Sequence, residues 1–202
     1  QDNLKLLATN AQTGTANLLY EEKNKYFVEI NDDWWFLKDG KNFLFTSEKD
    51  GYRHLYLNSL DGKSSAQVTK GNFEITNIEA VDETNKRIFY DFYSDLNTPQ
   101  IVTVHDIVVD KKKNFSANLV KTVNESAKLK EKLTEYGYGK AEFMRVPNSK
   151  GDTLNGWMLK PANFDATKKY PVLFCNYGGP GSQQVANRFG AVSTWHQMLA
   201  QK

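Results

Sequence analysis

Cysteine is almost missing from this sequence. A single residue, Cys175, excludes an internal disulfide and a zinc site built on cysteines. It lies in an apolar run, so we expect a buried, inert thiol. Histidine is nearly as scarce. His54, His105 and His196 are far apart and lack metal-ligand spacing, so we expect no metal and no cofactor. No apolar run approaches the ~20 residues of a membrane-spanning helix. No leader sequence is visible, and the start at Gln1 reads as a trimmed or mature end. Excess charge is missing too. With 26 basic against 24 acidic residues the net charge is +2, which predicts no nucleic-acid partner and no membrane-surface partner. The one dense basic run, Lys111-Lys112-Lys113, sits between two strand-like segments and reads as a solvated hairpin tip.

What is present is enough hydrophobic residue for a core: 40% of the chain, with 13% aromatic. Residues 1–124 read as short strands divided by turns. Leu4 to Ala8 and Thr15 to Glu21 flank a glycine turn at Gly14. Tyr26 to Asn31 is a further strand candidate. Asp39-Gly40 between apolar flanks is a hairpin signal, and Asp50-Gly51 and Asp61-Gly62 repeat it about eleven residues apart. Strands follow at His54 to Leu60, Ala66 to Thr69, Ile75 to Val81 and Arg87 to Phe92. Such spacing suggests a sandwich, barrel or propeller, and the internal similarity favours a propeller. Residues 36–80 fit one blade with its link. The segment covers two or three blades where ~4–8 close a ring, so we expect these 202 residues to be part of a longer chain.

The pattern changes near residue 125. Lys121 to Glu135 reads as a linker helix, Lys140 to Val146 and Leu154 to Leu159 as strands. Val172 to Cys175 is an apolar run without alternation, which suits a strand covered on both faces of a parallel sheet. Gly178-Gly179-Pro180-Gly181 ends it, and Gln184 to Gln201 has helical apolar spacing. Strand, glycine turn and helix form the geometry with which α/β-hydrolases build part of an oxyanion hole. Tyr177, just before the glycines, could offer a phenolic O–H there. Phosphate binding or plain packing of a tyrosine would use the same pattern.

Read together, the two halves resemble the dipeptidyl peptidase IV branch of the prolyl oligopeptidase family of serine peptidases. The carriers are the run Asp39 to Tyr56 (with Asp50-Gly51-Tyr52-Arg53-His54), Val68-Thr69-Lys70-Gly71-Asn72-Phe73-Glu74-Ile75, Glu79 to Asp82 and Ser94 to Pro99. In the second half they are Gly156-Trp157-Met158-Leu159-Lys160-Pro161, Lys168 to Val172, and Tyr177-Gly178-Gly179-Pro180-Gly181-Ser182-Gln183. The resemblance implies a fold that is mostly β with α/β: partial β-propeller blades over residues 1–124, then the incomplete N-terminal part of an α/β-hydrolase peptidase domain over 125–202. It implies a serine-type exopeptidase that releases dipeptides, or in a related type tripeptides, from free peptide N-termini, often after proline. Tyr177 falls on the position of the family's oxyanion tyrosine. Peptides with a free N-terminus are the implied partners. The resemblance also allows a homodimer and implies a periplasmic, secreted or cell-surface protein.

Two departures stand out. No G-x-S-x-G nucleophile motif occurs, so the catalytic triad is not in these residues. The strand near Arg87 to Tyr90 nearly touches Ser94 to Pro99, where the family pattern has more propeller sequence between them. Glu21-Glu22 reads as an exposed acidic strand end rather than the family's amine-binding pair. Ser182 and His196 read as surface or helix-packing residues rather than a nucleophile and its base. The competing reading of the chain is a non-catalytic propeller interaction module with a hydrolase remnant. A third is an endo-acting or acyl-releasing relative on the same scaffold.

Overall fold

The computed structural model describes residues 2–93, 95–109, 115–177 and 184–202, with the side chains of Tyr93, Val109 and Phe115 left aside. It is mostly β, the fold class read from the sequence. The chain forms two compact units, residues 1–92 with 101–125, and residues 93–100 with 126–202.

The first unit begins with a hairpin, β1 (Asn3–Thr9) and β2 (Ala16–Lys23). Two four-stranded antiparallel meanders follow. The first runs β3 (Trp34–Phe36), β4 (Asn42–Ser47), β5 (His54–Ser59), β6 (Ser65–Gln67). The second contains β7 (Glu74–Asp82), β8 (Arg87–Tyr93), β9 (Ile101–Val109) and β10 (Phe115–Asn124), each strand beside its neighbour in sequence. This is the strand order of propeller blades. The tip between β9 and β10, with Lys111-Lys112-Lys113, lies outside the described residues.

Acidic side chains build the turns at Asp39-Gly40 and Asp61-Gly62, and a third at Asp82. The Asp39 carboxylate accepts the N–H groups of Lys41 (2.7 Å) and Asn42 (3.0 Å). Asp61 accepts the N–H of Lys63 and Asp82 that of Asn85. The Lys41 N–H at Asp39, the Ser59 hydroxyl and then the Lys63 N–H at Asp61, and the Asn85 side-chain amide and then its N–H at Asp82 favour the ionised form and hold all three carboxyls below their usual range. Gly62 has φ +72°, and a Cβ there would meet the Leu18 carbonyl oxygen, so only glycine lets the β5–β6 turn pass so close to β2.

The two faces of β4 explain the packing. Phe43 and Phe45 point one way, onto Leu6, Leu19 and Tyr20 of the β1–β2 hairpin. Leu44 points the other way, and register stacks Trp35, Leu44, Leu57 and Ala66 in one row. That row meets Ile75, Ile88 and Tyr90 of the second meander, with Val68 between them. Sequence alternation thus places β4 in the middle of a three-layer stack.

Several expectations are corrected. Tyr26 to Asn31 forms no strand. Tyr26 and Ile30 are exposed and only Val28 is buried, so no alternating apolar face calls for a ladder. Lys121 to Asn124 belongs to β10, and the helix α1 (Ala127–Glu135) starts only after Ser126, whose φ of 54° breaks the chain direction. The expected helix from Gln184 shrinks to α2 (Thr194–Ala200). Gly190 at φ +93° interrupts the apolar periodicity, and Ser193 supplies the start signal.

Leu44 is fully buried between the meanders. We expect Leu44→Ala to cost about 2–5 kcal/mol in urea unfolding. Leu119→Ala, at an exposed site on β10, should stay within about 0.5 kcal/mol. Equal losses would show that this seam does not hold the unit.

On the second meander, burial and then the neighbouring Glu79 carboxylate push the Asp91 carboxyl up to about 6. An acid raised in the folded state stabilises the fold fully below its unfolded value, near 3.9, and loses that contribution as pH rises through about 6. Asp91→Asn should therefore flatten the stability decline between about pH 4 and 6 and raise the melting temperature at pH 8. Thermal scans at both pH values check this, and parallel pH profiles would refute it.

Candidate active site

The second unit is organised by β11 (Ala141–Pro147) and β12 (Thr153–Leu159), an antiparallel hairpin. Leu96, Ala141 and Val192 form its small core, with Trp157 and Leu159 against it. Two amide side chains fix the start of β11. Asn97 Nδ2 donates to the Ala141 carbonyl (3.0 Å), and Asn97 Oδ1 accepts the Ala141 N–H (2.8 Å). The buried Gln197 does the same for Gly139, at 2.7 Å and 2.9 Å, and so ties α2 to the hairpin. The Tyr138 hydroxyl adds a bond to the Val192 carbonyl (3.2 Å). The sequence pattern holds no sign of these clamps, because the partners lie 44 and 58 residues apart.

After β12 the chain turns through Asp165, whose carboxylate accepts from the Thr167 N–H and hydroxyl. Tyr170 closes this turn. Its hydroxyl accepts the Asp165 N–H (2.9 Å) and its ring stacks on Phe164. The chain then runs from Pro171 to Tyr177 without pairing to any described strand. The buried strand expected at Val172 to Cys175 is therefore corrected. Val172 is 85% exposed and Phe174 82%. A central parallel strand owes its stability to ladders on both edges and layers on both faces, and no described residue supplies either. Cys175 is correspondingly exposed, not buried.

Tyr177 ends the extended stretch, 61% exposed, and its hydroxyl makes no hydrogen bond among the described residues. Gly178-Gly179-Pro180-Gly181, Ser182 and Gln183 lie outside the described residues. His196 is fixed by the capping box of α2. Its Nδ1 accepts the Ser193 N–H (3.2 Å) and lies 2.9 Å from the Ser193 hydroxyl. That leaves the proton of a neutral ring on Nε2, which faces Cys175 Sγ at 3.8 Å. The ring also meets the Trp157 and Trp195 edges at 5.3 and 5.4 Å. Sequence reasoning missed the Cys175–His196 contact, since it took the thiol for an interior group.

The other tempting pair, Glu21-Glu22, divides. Glu21 is exposed and lies near Lys23 and Lys5. Glu22 accepts from the Tyr20 hydroxyl (2.7 Å) and the Ser47 hydroxyl (2.6 Å), so its carboxylate ties the hairpin to β4. Among the described residues no three ligating side chains gather for a metal, and no helix is long and apolar enough to cross a membrane.

The chemistry on offer is thus an exposed phenol, without a partner among the described residues, next to an extended backbone. Known proteins give this arrangement a context. A family profile described as "Dipeptidyl peptidase IV (DPP IV) N-terminal region" matches residues 1–132. A probable dipeptidyl peptidase 4 of Aspergillus flavus is 28% identical, over 85% of this chain and 25% of its own length. Dipeptidyl peptidase 4 of Arthroderma otae is 30% identical, over 76% of this chain and 25% of its own. The chain therefore spans about a quarter of the length of these curated relatives. Among solved structures, Porphyromonas gingivalis dipeptidyl peptidase 4 superposes with a TM-score of 0.55 at 26% identity, covering 100% of this chain and 33% of that one. A putative dipeptidyl aminopeptidase IV from Bacteroides ovatus gives 0.51 at 25%, covering 99% and 36%. With the profile spanning well over half of the residues, the chain belongs to the dipeptidyl peptidase IV family.

Proposed function

We propose that this chain is part of a serine-type exopeptidase that releases dipeptides, or tripeptides, from free peptide N-termini, often after proline. Family membership supports the reaction class, and one observation carries the role of a residue in this chain. Directly ahead of the glycine run, Tyr177 presents an exposed phenolic hydroxyl with no hydrogen-bond partner among the described residues. Attack on a peptide carbonyl places negative charge on its oxygen. A fixed O–H at that oxygen stabilises the transition state more than the ground state.

In this reading residues 1–124 contribute propeller blades and 125–202 begin the peptidase domain. No G-x-S-x-G occurs in the 202 residues. The serine that attacks, the histidine that moves the proton and the aspartate that orients it belong to the length of the relatives that this chain does not span. The chain alone is then inactive. The kinship supports placement in the periplasm, outside the cell or at its surface, and is compatible with a homodimer.

In the full-length enzyme, Tyr177→Phe should lower kcat by about 10²–10³ with little change in KM, measured on a chromogenic dipeptide substrate. An unchanged kcat would remove Tyr177 from the mechanism while leaving the peptidase assignment standing.

A further inference from the structure

The first unit contains a recess of about 310 Å³ between the β6–β7 connection and the face of β8, β9 and β10. That is at the lower end of the volumes that hold small ligands. Val68, Phe73 and Ala117 form apolar walls. Tyr90 and His105 form the floor, their rings stacked with centroids 4.4 Å apart. Lys70 and Ser116, both exposed, stand at the rim.

The polar groups of this recess are unevenly satisfied. Both nitrogens of His105 are used inside the protein. Nδ1 lies 3.5 Å from the Ala117 carbonyl, which can only accept, so Nδ1 carries the proton. Nε2 then accepts from the Thr103 hydroxyl at 3.0 Å. Burial lowers the imidazole's affinity for a second proton, so the ring is neutral. Tyr90 differs. The residue is 1% exposed, yet its hydroxyl makes no hydrogen bond among the described residues. The hydroxyl is not among the fully enclosed polar atoms that lack a partner, so it opens on the recess, where a ligand can meet it.

Among the remaining polar groups of the lining, the Thr69 hydroxyl already accepts the Leu55 N–H at 3.0 Å. Lys70 brings an ammonium and Ser116 a hydroxyl, and no carboxylate lines the recess. An ammonium beside two hydroxyls that can donate, with no carboxylate to compete for them, suits a ligand rich in acceptors. One cation among aromatic and aliphatic walls matches a single negative charge on an apolar body. A phosphate dianion would be half compensated and would leave the walls unused.

We propose that this recess is a binding site for a small aromatic carboxylate. The ring lies against Phe73 and the Tyr90–His105 stack, and the carboxylate accepts from Tyr90, Lys70 and Ser116. The site stands on this geometry alone and does not depend on the peptidase reading.

Benzoate titrated into the purified full chain by calorimetry tests it. We expect one-site saturation with Kd on the order of 1 mM, as suits so small a ligand. Tyr90→Phe, which keeps the ring and the stack, and Lys70→Ala should each weaken binding about tenfold or more. Melting curves of both variants should match the parent. Benzyl alcohol, with the ring but no charge, should bind at least tenfold more weakly. Absence of saturation up to about 20 mM benzoate, twentyfold above that Kd, would overturn the proposal. So would full affinity in Tyr90→Phe, or inorganic phosphate competing as well as benzoate.

Discussion

The contact on which the first unit depends is the seam between its two meanders. Neither sheet is a stable object alone, because each has an apolar face that water would meet. Leu44 and Leu55 on one side and Ile75, Ile88 and Tyr90 on the other remove those faces together. The β1–β2 hairpin repeats the solution on the opposite side of β4, over Phe43 and Phe45. Layer upon layer is the logic of a propeller, where each blade is the covering of the next. The recess floored by Tyr90 lies along the same seam. There the β6–β7 connection does not fill the space over β8, β9 and β10.

How much of this could be read in advance depended on the range of the interactions concerned. Hairpins were legible because their chemistry is local. Asp39 bonds to the second and third residues after it, and the strands on either side alternate in the usual way. The blade order followed from repeating that signal. Elements that needed distant partners were not legible. Val172 to Cys175 has the composition of an interior strand, yet composition does not supply the neighbours that make a strand. The periodicity after Gln184 is equally real, but Gly190 and the Ser193 cap overrule it and leave a short helix.

The same division holds at the candidate active site. Tyr177 is proposed from its position before the glycines, a feature of the sequence itself. The environment of His196 was not legible there, because the contact with Cys175 spans 21 residues of irregular chain. Nor were the amides of Asn97 and Gln197, ordinary polar residues that become significant only where the backbone meets them. Kinship with the dipeptidyl peptidase IV family supports the proposed reaction, and the local chemistry suggests its donor.

Those two amides carry a further consequence. A strand at a sheet border presents bare N–H and C=O groups, on which a foreign strand can grow. At Gly139 and Ala141 the groups are already answered by side chains that mimic a peptide unit, each giving one bond and taking one. An intruding chain would find the first rungs of this border taken and would have to expel two fitted amides to begin. The hairpin is thereby guarded against unwanted augmentation at its root by glutamine and asparagine.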